Sequence, residues 1–518
     1  KPRNNAIFGI VLALTAFAAE AAPDSAALYR EHCAACHGAE RLGETGPALL
    51  PENLGRLKPE AAAKIIADGR PASQMAGFAD RLGHDEIAAL AKLIYTPIPV
   101  PEWGEKQIAA SRIIHTEAAA LPRRPVHGAD PLNLFTVVEI GDHHVTILDG
   151  DRFEPLWRFP SRIALHGGAK YSPDGRFVYL ASRDGWVGKY DLYGLRPVAE
   201  ARVAVNTRNI AVSSDGRYLI AGNVLPPTLA ILDAGDLSVL KVIAVKGDKD
   251  AASRVSAVYD AAPRRSFIVA LRDIPEIWEI SYQDNPRPVP AGLIRNHEEG
   301  LKEGAFDRGP FPVRRIRLEE SIDDFFFDPS YANLIGASRD GGRGQVVNLN
   351  AGRKIAEVAL PGMPHLGSGI TFEYEGRLVL ATPHLKEGAV SIVDMKDWRT
   401  IKRIATAGPG FFMRSHENTP YAWVDSFFGG PARDTLHIID KRTLEIVRTV
   451  TPAPGKIAAH VEFTRDGRFA LVSVWEDDGA LVVYDAATFE EVKRLPMKKP
   501  SGKYNVYNKI TRSAGTSH

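Results

Sequence analysis

The chain has 518 residues, a formal net charge of +1, 25% charged and 45% hydrophobic residues. That length exceeds one ordinary core and suits a small domain plus a large one. The near-neutral balance carries no footprint of a nucleic-acid partner, and 45 glycines with 36 prolines imply the many turns of a mainly β protein.

At the N-terminus, Lys1 and Arg3 precede an apolar run from Ala6 to Ala19, then Ala19-Glu20-Ala21. This pattern reads as a secretory signal peptide over residues 1–21, too short to act as a spanning helix. No later stretch reaches about 18 uninterrupted apolar residues, so an exported, periplasmic protein without a membrane span is expected.

Residues 24–96 read as a small all-α domain. Its opening helix leads into Cys33-Ala34-Ala35-Cys36-His37, which holds both cysteines of the chain. C-x-x-C-H is the attachment pattern of a c-type haem: each thiol adds to a vinyl group and the histidine binds iron. A disulfide gives no role to His37, a zinc site lacks a second ligand pair, and a thioredoxin-like pair belongs after a strand rather than in an Ala-rich helical stretch. Helices are predicted over Pro59–Ala67 and His84–Ile94. A helix before the cysteines, a loop and a closing amphipathic helix resemble a class I cytochrome c. That resemblance implies Met75, in the loop before the last helix, as the second axial ligand of one covalent haem c. Core filling is the alternative for Met75, and His84 is the rival ligand.

Thr96-Pro97-Ile98-Pro99-Val100-Pro101 marks a boundary, and residues 97–130 read as a Pro-rich tether lying on the second domain. From 131 to 510 the chain repeats a unit. Tyr171-Ser172-Pro173-Asp174-Gly175-Arg176 followed by an apolar strand, then a strand ending in Asp191, returns at Ser213–Ala221 with Leu229–Asp233 and at Arg465–Val472 with Leu481–Asp485. Weaker copies lie between them, and Phe135–Val138 with Val145–Asp149 needs a partner from the C-terminal end. Repeats of this kind at roughly 40 to 60 residues define a β-propeller, eight-bladed on this count with seven as the alternative.

Five histidines sit in Gly- or Pro-containing loops near blade strands: His166, His365, His384, His416 and His460. Singly, each is an ordinary hydrogen-bonded histidine. Together, in comparable positions, they point to a metal or proton-transfer site at the propeller funnel.

A class I cytochrome c joined to an eight-bladed propeller resembles the cytochrome cd1 family. The nitrite reductases of that family carry haem d1 in the funnel. Their proximal histidine precedes an early blade turn, as His166 precedes Tyr171–Phe177. Their distal histidines lie in "T-P-H-P-G" and "K-T-H-P" loops, which match Met363-Pro364-His365-Leu366-Gly367 and Arg414-Ser415-His416-Glu417. Their C-terminal "G-K-F-N-V-Y-N" appears as Gly502-Lys503-Tyr504-Asn505-Val506-Tyr507-Asn508. The resemblance implies iron ligands at His37, Met75, His166 and His365, covalent attachment at Cys33 and Cys36, and carboxylate contacts at Arg183, Arg208 and Arg414.

Four departures stand out: Asn223-Val224-Leu225-Pro226-Pro227 replaces an aromatic loop, Tyr504 replaces phenylalanine, His460 is extra, and residues His297 to Arg317 are inserted. These resemble the branch of the family that finishes the cofactor, oxidising dihydro-haem d1 to haem d1. The expectation is an oxidoreductase that turns a propionate side chain into an acrylate. His460, Tyr504 and His416 would form its catalytic set, and the c haem would take the electrons. A nitrite reductase or a non-catalytic haem d1 carrier are the alternatives. The implied partners are a periplasmic electron acceptor and, transiently, other haem d1 biosynthesis proteins and the cytochrome cd1 nitrite reductase.

Overall fold

The computed structural model describes residues 22–44, 46–55, 57–69, 75–247, 250–295, 302–337 and 342–511. The signal-peptide expectation for 1–21 falls outside them.

Residues Ser25–His32, Ala34–His37, Pro59–Asp68 and His84–Ile94 form the helices of the small domain. Asp24 caps the first through the amides of Ala26 and Ala27. The second stops at Gly38, whose positive φ of 78° reverses the chain. Ile66, Leu82, Ile87, Leu90 and Ile94 pack with Tyr29 in one core, against which Cys33 and Met75 also lie. Arg41 closes the domain by donating to the carbonyls of Leu93 (2.5 Å) and Thr96 (3.0 Å) at the end of the last helix. The Leu93 carbonyl also accepts the Thr96 amide (3.0 Å), so Arg41 adds to the turn that ends the helix.

Among the described residues, the rest of the chain forms eight antiparallel sheets arranged as blades, besides one two-stranded hairpin. Seven have four strands, and one gains a fifth at its outer edge when Ile113–Ile114 pairs with Arg196–Arg202. The eight inner strands are Lys170–Tyr171, Asn206–Val212, Val255–Ala261, Asp324–Phe327, Ile370–Tyr374, Met413–Ser415, Ala458–Phe463 and Pro500–Asn505. The last closes the ring: it pairs with Leu134–Glu139 in the register Thr136↔Tyr504 and Val137↔Lys503. The first blade therefore takes its inner strand from the C-terminus, as the unpartnered repeat at Phe135–Val138 required. In the inserted region, Val289–Arg295 and Lys302–Asp307 form a separate hairpin before Val313–Arg317 returns as an outer strand.

The repeated sequence has a local cause. Ser172 accepts the Phe177 amide on Oγ (2.9 Å), Gly175 turns with φ 74°, and its amide donates to the Ser172 carbonyl (2.8 Å). Ser213–Tyr218 and Thr464–Phe469 build the same turn. The aspartate ending the third strand accepts amides of the following turn, as Asp485 does from Ala487 and Thr488. Blades bury both faces against their neighbours. Phe135, Val137 and Leu148 of the first blade interlock with Leu471, Leu481 and Val483 of the last, each side chain contributing roughly 1.5–3 kcal/mol of burial.

Candidate active site

A cavity of about 280 Å³ opens at the axis of the propeller. All eight blades line it from their inner strands or the loops just before them: His166, Arg208, Tyr259, Asp324, His365, Phe412, His460 and Tyr504. The shared strand direction of the blades brings these residues, far apart in sequence, to one place.

His166 precedes Gly167 and Gly168. A Cβ on Gly167 (φ 84°) would stand 2.7 Å from the Asn209 side chain, so glycine allows the loop to touch the next inner strand. There the His166 Nδ1 donates to the Arg208 carbonyl (2.8 Å). Its Nε2 accepts from Arg183 (3.0 Å) and Arg208 (3.2 Å). Across the cavity, the His365 Nδ1 donates to the Phe411 carbonyl, and its ring stacks on Phe411 at 4.3 Å and 10°. Burial pushes His365 below its ordinary value, so the imidazole is neutral. In the small domain, the buried His37 donates its Nδ1 to the Pro47 carbonyl at 2.8 Å. A carbonyl only accepts, so all three rings carry the proton on Nδ1 and keep the Nε2 lone pair, the tautomer of a metal-binding histidine. The donor sets thus fit iron at His37 and between His166 and His365. No disulfide joins Cys33 and Cys36.

His460 is placed by a β-bulge. Pairing shifts between Ala459↔Ser473 and Val461↔Val472, and His460 takes the left-handed φ of 51°. The extra residue re-aims its side chain towards the axis. The ring sits between Phe412 (4.6 Å) and Tyr504 (5.1 Å, edge-on). Asp425 holds the bulge from behind, accepting the amides of Phe411 (2.7 Å), Phe412 (3.2 Å) and His460 (3.2 Å). Lys503 Nζ donates to the His460 carbonyl and lies 3.4 Å from Nδ1. Burial, then the charges of Lys503, Arg414 and Lys509, push His460 well below its ordinary value. Burial likewise raises the Tyr504 hydroxyl, so it holds its proton.

Three expectations need correction. His416 does not line the cavity: its Nε2 donates to the Arg465 carbonyl (3.1 Å) and its Nδ1 accepts the Asn418 amide (3.1 Å), which gives it a structural role in a turn. His384 also stays outside, bonded to Ser391 Oγ at 2.7 Å and pushed down to about 4 by burial. Arg414 is buried behind the cavity wall, facing Glu462 and Tyr504 rather than the opening. His84, the rival haem ligand, is exposed and faces Asp85. Asn223–Pro227 lies at the domain boundary, where Leu225 packs on Ala48 and Leu50 of the small domain. Sequence reading passed over Asp425 and gave no role to Lys503. The charge of Lys503 in the closing strand Pro500–Asn505, directly before Tyr504, was the available signal. The backbone contacts of Asp425 left none.

The fold and these donor sets define a c-type cytochrome domain joined to a haem-binding propeller. The profile described as "Cytochrome D1 heme domain" matches residues 129–509, and that of "Cytochrome C oxidase, cbb3-type, subunit III" matches 20–94. The chain belongs to the cytochrome d1 haem-domain family. It is 54% identical to a dihydro-heme d1 dehydrogenase of Pseudomonas aeruginosa, across 98% of both chains. It is 26% identical to a nitrite reductase of Stutzerimonas stutzeri, across 97% of both. A solved structure titled "Dihydro-heme d1 dehydrogenase NirN in complex with DHE" superposes with a TM-score of 0.87 at 55% identity, covering 93% of this chain and 99% of that one.

Proposed function

We propose that this protein is an oxidoreductase that completes haem d1 by oxidising dihydro-haem d1. The observation that carries the reading is the 54% identity to a dihydro-heme d1 dehydrogenase over 98% of both chains. Conversion of a saturated propionate side chain to an acrylate removes two protons and two electrons. His166 and His365 offer their Nε2 atoms to the substrate iron from opposite walls of the cavity. Ligation at His166 displaces the hydrogen bonds of Arg183 and Arg208, leaving both guanidinium groups available to substrate carboxylates. His460 takes a proton from the side chain, and Tyr504, protonated and edge-on, fixes the imidazole. Cys33, Cys36, His37 and Met75 would hold the c haem, which would supply a redox centre that takes the two electrons one at a time and passes them to an external acceptor.

The apolar N-terminal run supports a periplasmic location, and no helix among the described residues is long and apolar enough to cross a membrane. The likeness to a nitrite reductase and, at 28% identity, to Protein NirF of Pseudomonas aeruginosa supports transient contact with other haem d1 proteins. Beyond them stands a periplasmic electron acceptor.

The test is anaerobic incubation of the c-haem-loaded protein with dihydro-haem d1, following the pigment spectrum and c-haem reduction. Acrylate formation with reduction is expected. His460→Ala should bind the substrate and convert it about 10²–10⁴-fold more slowly. Binding without conversion by the unaltered protein favours a carrier, and nitrite turnover by a d1-loaded sample favours a reductase.

A further inference from the structure

The surroundings of His460 raise a problem that the proposed reaction must solve. The imidazole is buried, and burial first, then the Arg414 guanidinium, oppose a second proton on it. A proton gained at Nε2 therefore has to be matched by one lost from Nδ1. Nδ1 lies 3.4 Å from Lys503 Nζ, on a strand locked into the ring by Val137↔Lys503 pairing. The same Nζ bonds the His460 carbonyl, which holds the two side chains in register.

We propose that Lys503 is a positioning and relay residue that takes the Nδ1 proton of His460 as the imidazole receives the substrate proton at Nε2. The statement rests on the function proposed above. One C–H bond of the substrate side chain breaks as an N–H bond forms at Nε2, and one N–H bond breaks at Nδ1 as one forms at Nζ. The imidazole stays neutral, Lys503 becomes an ammonium, and the electrons follow the route already given. The relay starts from a neutral amine. Burial drives Lys503 well below its ordinary value, and Arg414 acts in the same direction. Glu462 and Asp425 act oppositely, so the ammonium has two carboxyl groups to meet once formed. Asn508 anchors Glu462 through Oε1 (3.1 Å), which keeps that group in place from the C-terminal helix.

The experiment compares K503M, which has neither proton acceptor nor donor, with K503R, which donates but never deprotonates. Both are made in the full-length, c-haem-loaded protein. Dihydro-haem d1 affinity, read from the binding spectrum, should stay within threefold of the unaltered protein in each. Conversion should fall about 100-fold or more in both. The unaltered protein should lose rate on the acid side, as Lys503 charges before turnover, and K503M should lack that limb. Recovery of the rate in K503R to within threefold would assign Lys503 a hydrogen-bonding role only and overturn the relay, as would an acid limb retained in K503M. If K503M does not fold, K503Q replaces it, since the amide still donates to the His460 carbonyl. Failure of the unaltered protein to convert dihydro-haem d1 would overturn the proposed function and the relay together. Conversion by it, undiminished in both variants, would overturn the relay alone.

Discussion

Three histidines share one device. His37, His166 and His365 each spend Nδ1 on a backbone carbonyl, and so present Nε2. His416 spends both ring nitrogens on backbone groups and has none to offer iron. Sequence spacing cannot distinguish these cases, because the deciding carbonyls come from other blades. In the small domain the His37 ring is set by packing as well. A Cβ on Gly46 would stand 2.8 Å from Cε1 and 3.0 Å from Nδ1 of His37. Gly46→Ala should therefore displace the ring at a cost of about 1–3 kcal/mol, leaving the thioether attachment intact. Potentiometric titration should show a shifted c-haem midpoint and altered absorption; an unchanged midpoint would count against His37 as the ligand.

At the scale of elements, the bulge at His460 and the loop Phe411–Phe412 are one unit, because the Asp425 carboxylate ties their amides together. That loop also supplies the carbonyl that orients His365. Asp425→Ala leaves buried amides without an acceptor, at about 1–3 kcal/mol for each. The variant should unfold at a lower temperature and lose conversion more than substrate affinity. Asp425→Asn keeps one carbonyl oxygen and should fall between the two. Equal loss of binding and conversion in the alanine variant would refute a link to the bulge. The repeats made the blades legible, since the Ser-x-Asp-Gly turn and the strand-terminal aspartate are local devices. The bulge was not legible: it depends on a pairing shift between two strands that no local motif marks.

At the scale of the molecule, the two domains meet through a small set of contacts. Arg202 donates to the carbonyls of Gly43 (3.1 Å), Leu42 (2.5 Å) and Asp184 (2.9 Å), and its guanidinium lies over Trp103 at 4.8 Å. Asn53 reaches the Val205 carbonyl, and Asn206 reaches that of Glu52. Asp184 adjoins Arg183, which bonds His166, so the docking surface backs onto the cavity. Burial pushes Asp184 up to about 6, against the pull of Arg202 and the Ala48 amide. A carboxyl raised on folding costs stability in its charged form. The cost is absent below about pH 4, grows towards pH 6 and is complete above it. Asp184→Asn, whose side-chain carbonyl still accepts the Ala48 amide, should raise stability at pH 7 by at most about 2 kcal/mol after screening. The gain should vanish below pH 4. Thermal unfolding across that range checks it, and a gain constant with pH would contradict the assignment.

The sequence by itself determined the haem-attachment pattern, the helices of the small domain and the repeat that builds blades, because each depends on residues a few positions apart. It also marked His166, His365, His460 and Tyr504, through motifs that resemble a family. Only the tertiary structure decided which of five loop histidines share a cavity. Closing the ring with the strand Pro500–Asn505 brings Tyr504 and Lys503 to His460, some forty residues away in the chain. His416 stays buried in a turn away from the cavity, bonded to the Arg465 carbonyl. Which atoms meet at the axis depends on strand register across eight blades, and no local spacing encodes that register.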